Sequence, residues 1–200
     1  MKKFFLFLFT ILCISGLSAA ELGYIQPTFG LGGAFFDYYH NNFGNQFGLS
    51  AGADIDWDVW KNSGTAAGDL YVGMDLALEY WIPTKHKAES KTNHIIRIPL
   101  QANIAYEFKV NAGVLKAVGP WYSMGLGLNV ITGDEFIPDD NEYRFQPTFR
   151  WGLGATLAFD NNWSLKAGFG GDAGKTKKIY IDEWNWNNNS FFMVEAAARF

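Results

Sequence analysis

Ser190-Phe-Phe-Met-Val-Glu-Ala-Ala-Ala-Arg-Phe200 decides how this chain is read. Counting back from Phe200, every second residue (Ala198, Ala196, Val194, Phe192) is apolar, and the positions between them include Glu195 and Arg199. Period-two alternation puts the two sets on opposite faces of a strand. One face is oily, the other can carry charge, and the last residue is an aromatic ring. A strand that stops on an exposed Phe suits a barrel closing in a bilayer, where the ring settles at the membrane interface.

The other end reads as an export signal. Met1-Lys2-Lys3, an apolar run from Phe4 to about Leu17, and Ser18-Ala19-Ala20 before Glu21 are the basic, apolar and small-residue parts of a secretory signal peptide. Residues 1–20 are expected to be cleaved, leaving 21–200 as one barrel domain. The apolar run is too short for a comfortable membrane-spanning helix, and no later stretch is long and apolar enough. Cys13 is the only cysteine and leaves with the signal. Leu12 before it is not small, so no lipoprotein cleavage is expected. Disulfides and thiol chemistry are thereby excluded from the mature chain. An aromatic content of 18% with 22 glycines is unusual for a soluble domain and points to an outer-membrane barrel.

The same alternation recurs along the chain. It predicts strands over about Tyr24 to Phe36, Phe47 to Val59, Leu70 to Tyr80, Ile96 to Phe108, Leu115 to Val130, Gln146 to Phe159, Trp163 to Gly170 and Ser190 to Phe200. Gly171 to Asn189 reads as a connection, in which Lys178 to Ile181 extends one of its flanking strands. Each strand is near the ~9–11 residues that cross a bilayer at a tilt. The second, fourth and sixth connections are tight and the other four long, the arrangement of short periplasmic turns and long outer loops. The fold class expected is all-β, an eight-stranded antiparallel transmembrane barrel with up-and-down connections.

Energy decides which face meets lipid. Asp54, Asp56, Asp75, Glu79, Arg97, Arg150 and Lys166 all fall on the same set of faces. Turning them to lipid would cost up to ~2–4 kcal/mol for each Lys or Arg near the midplane. Summed, that rivals the roughly 5–15 kcal/mol stability of a whole domain. They are therefore expected inside, as a luminal ion-pair network with small residues between them, filling the lumen as a polar plug. A soluble lipocalin-like barrel would invert this pattern and carry long polar groups outside. Trp57, Tyr106, Tyr122, Phe159, Trp163 and Phe200 are expected to form an aromatic belt near the short turns.

On these features the chain resembles the eight-stranded outer-membrane barrels: the opacity-protein and OmpX types, the OmpA transmembrane domain and OmpW. The likeness covers all of 21–200 and rests on architecture. The closing strand is similar to the signal read by the barrel-assembly machinery, with Ala198 and Phe200 at its last outward positions. It departs where Glu195 replaces a frequent glycine and Met193 a polar residue. The resemblance implies an outer-membrane location in a diderm bacterium, a monomer, and contact with outer-membrane lipids and the assembly machinery. It also implies two alternatives: OmpW-like passage of small hydrophobic molecules, and a lipid-modifying enzyme using His, Ser and an acid near the outer leaflet.

Several local patterns have bland readings. Gly174-Lys175-Thr176 resembles the end of a phosphate loop, but Phe169 stands where that loop needs glycine. Asp54, Asp56 and Asp58 alternate, yet Val59 and Thr65 occupy the glycine and glutamate positions of a calcium loop, so luminal ion pairing is preferred to a metal site. His40, His86 and His94 lie in or beside outer loops, and neither His40 nor His94 has a serine two residues on. No catalytic residue, cofactor, metal or nucleic-acid partner is expected.

The outer loops carry the surface candidates. Lys85, Lys87 and Lys91 sit in the second, Lys175, Lys177 and Lys178 in the fourth, and Asp134, Glu135, Asp139, Asp140 and Glu142 in the third. Opposite charges pair over the mouth, or the basic loops grip lipid phosphates or a host polyanion. Trp184 and Trp186, among asparagines, suit either contact with a partner or an outer aromatic belt. The expected role is structural and adhesin-like, through surface loops in contact with the envelope, a host surface or another extracellular ligand.

Overall fold

The computed structural model describes residues 21–36, 44–60, 68–83, 94–132, 145–177 and 184–200. Eight strands follow one another: β1 (Glu21–Phe36), β2 (Gly44–Trp60), β3 (Gly68–Pro83), β4 (His94–Ala112), β5 (Leu115–Thr132), β6 (Phe145–Phe159), β7 (Trp163–Lys177) and β8 (Trp184–Ala198). Each pairs with the next and β8 returns to β1, giving a closed, all-antiparallel, up-and-down barrel. Closure leaves no open sheet edge among the described strands, so most backbone groups of the wall find their partners within it. No helix among the described residues is long and apolar enough to cross a membrane.

The two faces sort as the alternation requires. Phe29, Leu31, Leu49, Leu76, Leu78, Leu100, Leu126, Phe169 and Phe192 are exposed on the outer wall, and Leu126 keeps 69% of its surface open. Gln26, Thr28, Asp54, Glu79, Arg97, Asn129, Thr156 and Asp172 are buried inside. A polar interior under an oily exterior is stable only where the outer medium is itself apolar.

The strands run longer than a bilayer needs. They span 15 to 19 residues, against the ~9–11 that suffice to cross. The ladder therefore continues past the apolar band, where outward positions are free to be polar. The largest boundary differences lie here: β7 continues beyond Gly170 to Lys177, and β8 begins at Trp184 instead of Ser190. Lys175 pairs in register with Trp186 and Lys177 with Trp184. These four residues belong to strands, not to the long connection in which the sequence pattern put them. Lys178 to Ile181 lies outside the described residues, as do 1–20 with Cys13.

Two tight connections are defined in detail. Gly113 has φ 63°, and Gly113 and Val114 join β4 to β5. Glycine takes this left-handed conformation without steric cost. Asn162 adopts φ 62° before β7, a conformation that Asn tolerates best among side-chain-bearing residues.

Three prolines sit within strands, and each lacks a ladder donor. Pro27 lies at the β1–β8 seam, between reciprocal Ile25–Phe200 backbone bonds of 3.2 and 3.1 Å and the paired run that starts at Thr28 and Ala197. Pro99 falls in a short break of the β3–β4 ladder, with Leu76–Leu100 on one side and Glu79–Arg97 on the other in the same register. Pro147 pairs with Leu128 of β5, and the β6–β7 ladder stops next to it, at Thr148–Gly174. The first two breaks are closed above and below by pairing that keeps its register.

Large luminal rings fit because glycine faces them. A Cβ at Gly48 would run into the Trp81 ring, and one at Gly168 into Trp121. Trp81 is fully buried and cannot swing aside. Gly48→Ala is expected to destabilise the barrel by ~1–3 kcal/mol through overpacking, read as a lower urea midpoint for the folded band on an unheated gel.

Candidate functional site

The residues that fill the lumen are organised around one carboxylate. Glu79 of β3 receives both guanidinium nitrogens of Arg150 from β6, at 2.9 and 2.6 Å. It also accepts from Arg97 Nη1 on β4 at 3.3 Å and from Trp81 Nε1 at 2.9 Å. Arg97 reaches further with its other nitrogens, to Asp172 of β7 at 2.7 Å and to Asn129 of β5 at 3.0 Å. Five strands are thus tied across the interior by side chains that are all but inaccessible. The paired guanidinium–carboxylate fork fixes geometry as well as charge.

An apolar layer packs on this network. Phe191 lies with its ring 4.0 Å from the Arg150 guanidinium and 5.8 Å from that of Arg97, which is also 5.4 Å from the Trp81 ring. Trp81 and Phe191 join Ala34, Ile95 and Met193 in a buried cluster. The cations are held between carboxylates and aromatic faces, an arrangement favourable for desolvated guanidinium groups.

A second polar layer lies toward the short turns. Lys166 of β7 bonds Asp54 of β2, and Asp56 takes Gln26, whose amide oxygen accepts from Ser164 at 3.2 Å. Ser50 donates to Glu195 at 3.0 Å. The remaining space here is a cavity of about 40 Å³, lined by Asp75, Asn103, Trp121, Lys166 and Glu195 among others. It has room for water and little else.

All seven luminal charges expected from the alternation therefore lie in the interior. Arg97 and Arg150 both meet Glu79, Asp54 meets Lys166, Asp56 takes an amide, and Asp75 lines the cavity. Asp54 and Asp56 thus take different partners. Two further elements escaped the sequence reading. Asp172 stands in a Gly-rich stretch whose pattern reads as a loop. The pair of Arg199 and Glu107, joined by both guanidinium nitrogens, one at 2.9 Å, links β4 to the end of the chain. Its signal was present, since Arg199 and Glu107 both sit on charged phases of their strands.

The surface candidates are less fully placed. Lys85, Lys87, Lys91 and Lys178, with the acidic loop residues 134–142, lie outside the described residues, as do His40 and His86. Lys175, Lys177, Trp184 and Trp186 are located in the β7–β8 ladder by backbone register. His94 opens β4, where its Nδ1 lies 2.9 Å from the Tyr80 hydroxyl and the two rings stack at 5.4 Å. Phe200 stands 80% exposed beside β1, with Ala198 ending β8.

A closed eight-stranded barrel with an apolar outer wall and a charged, filled interior has the fold of the small transmembrane barrels. One solved structure agrees on the fold, and others resemble it more loosely. Neisserial surface protein A superposes with a TM-score of 0.55 at 14% identity, over 88% of this chain and 97% of that one. Ail, the attachment invasion locus protein of Yersinia pestis, gives 0.49 at 11% identity over 90% and 100%. The outer membrane enzyme PagL gives 0.47 at 18% identity over 85% and 97%. The first of these likenesses concerns the fold alone. No family model and no curated relative matches the sequence.

Proposed function

We propose that this chain is an exported outer-membrane barrel, freed of residues 1–20, whose sealed lumen makes it a rigid, non-enzymatic holder for its outer ends. Those ends contact the envelope or an extracellular ligand, with Lys85, Lys87, Lys91, Lys175, Lys177, Lys178, Trp184 and Trp186 as the contact candidates. Assembly depends on the closing strand with Ala198 and Phe200, and outer-membrane lipid surrounds a monomer. The observation that carries the reading is the Glu79 network: two arginines, a tryptophan and the Phe191 cap cross the lumen where a solute would have to pass. Passage of hydrophobic molecules needs an opening that the flanked ladder breaks at Pro27 and Pro99 do not offer.

The test is planar-bilayer conductance of the refolded 21–200 chain, with and without Arg150→Ala. The wild type is expected to be silent and the variant to show discrete openings. Openings in the wild type would defeat the sealed-lumen reading. Export is checked separately by N-terminal sequencing of the membrane-isolated protein, which is expected to begin at Glu21.

A further inference from the structure

The end of the barrel that carries the short turns holds a cavity that the luminal plug does not use. It is a half-open cleft of about 320 Å³, at the lower end of the usual size of small-molecule sites. Arg199 is among its lining residues. Glu107 grips two of the guanidinium nitrogens and the Tyr24 ring lies 4.7 Å from the group, while Tyr24 packs 5.5 Å from Tyr71. Arg199 is 7% exposed, yet its Nε has no hydrogen-bond partner among the described residues. A fixed, desolvated donor left over from a clamped guanidinium calls for an acceptor.

The strand ladders point to the same place. The four register shifts among the described residues all lie at this end: between Leu22 and Tyr24, Asp58 and Trp60, Lys109 and Ala112, and Leu115 and Ala117. Bulges bend strands and re-aim side chains at barrel rims, often beside sites. The last inserts Lys116, which lines the cavity. Across the rim, Asp160 is tied by its backbone N–H to the Val114 carbonyl at 2.9 Å, so the β6–β7 turn that carries Asp160 is joined to the β4–β5 turn just ahead of Lys116.

Charge narrows the ligand. Asp69 is bridged to Lys109 at 3.1 Å and Glu107 to Arg199, whereas Lys116 and Asp160 form no ion pair among the described residues. A simple anion would meet Asp160, Glu107 and Asp69, and a simple cation Lys116, Lys109 and Arg199. A molecule with one charge of each sign and an acceptor between them meets no net opposition.

We infer that this mouth binds a short zwitterionic peptide, with its ammonium at Asp160, its carboxylate at Lys116 and a backbone carbonyl accepting from Arg199 Nε. The site is independent of whether the lumen is sealed.

The experiment uses refolded protein in an uncharged maltoside micelle, titrated with trialanine and with its N-acetylated, C-amidated counterpart. The Arg199 Nε–H resonance is followed by NMR. Trialanine should move it saturably, and the capped peptide should bind about tenfold more weakly or worse. Lys116→Gln and Asp160→Asn, both exposed rim changes, should each weaken trialanine by a similar factor without altering heat-modifiable migration. No saturable shift, equal binding of free and capped peptide, or unchanged binding by both variants would overturn the inference and leave a pocket that holds only water.

Discussion

Glu79→Ala is expected to cost the barrel ~3–5 kcal/mol, the penalty for breaking a buried charge pair and leaving its partners uncompensated. The carboxylate lost is shared by Arg150, Arg97 and Trp81. Arg97 retains Asp172, so Arg150 carries most of the stranded charge. The double variant Glu79→Leu, Arg150→Met should recover much of the loss, because hydrophobic replacement of a complete buried pair is often neutral or stabilising. Urea unfolding in phospholipid vesicles, followed by tryptophan fluorescence, measures both. A double variant as unstable as the single one would show that the cost lies in packing and not in stranded charge.

The second large effect belongs to the outer wall. Leu126→Arg, at an exposed position near the middle of β5, should destabilise by ~2–4 kcal/mol, whereas Val110→Arg, close to the short β4–β5 turn, should cost only about 0–1 kcal/mol. Water outside the wall would make both changes nearly neutral, since each side chain already lies open. The contrast between the two sites, taken from the same urea titration, separates a lipid-facing wall from a solvated one.

Much of the architecture was legible in the sequence because the bilayer imposes it. Where the wall crosses the apolar band, outward residues must be oily and inward ones are free to be charged. Leu76, Leu78 and Tyr80 against Ala77 and Glu79 therefore declare the strand and its orientation. Beyond the band that constraint lapses. Gly171-Asp172-Ala173-Gly174 lost its outward hydrophobics and looked like a loop, although it is paired in the ladder. Asp172 was missed as the Arg97 partner for that reason. Alternation also says which face a charge occupies without saying which charge it meets. The Glu79–Arg150 contact joins β3 to β6 across the lumen, which depends on the register of every strand between them. The Lys116 bulge had no sequence signature, since an inserted residue looks like any other until its neighbours are paired.

The central claim is a barrel with lipid outside and a packed lumen inside. Because Cys13 is the only native cysteine, single cysteines can be placed cleanly in the 21–200 chain at Leu76, Ala77, Leu78, Glu79 and Tyr80 of β3, spin-labelled and refolded into vesicles. Electron paramagnetic resonance then compares access to oxygen, which concentrates in lipid, with access to a water-soluble nickel chelate. High oxygen access and low nickel access are expected at 76, 78 and 80, and low access to both at 77 and 79. Nickel access at 76, 78 and 80 would contradict the membrane-facing wall, and nickel access at 77 and 79 would contradict the filled lumen.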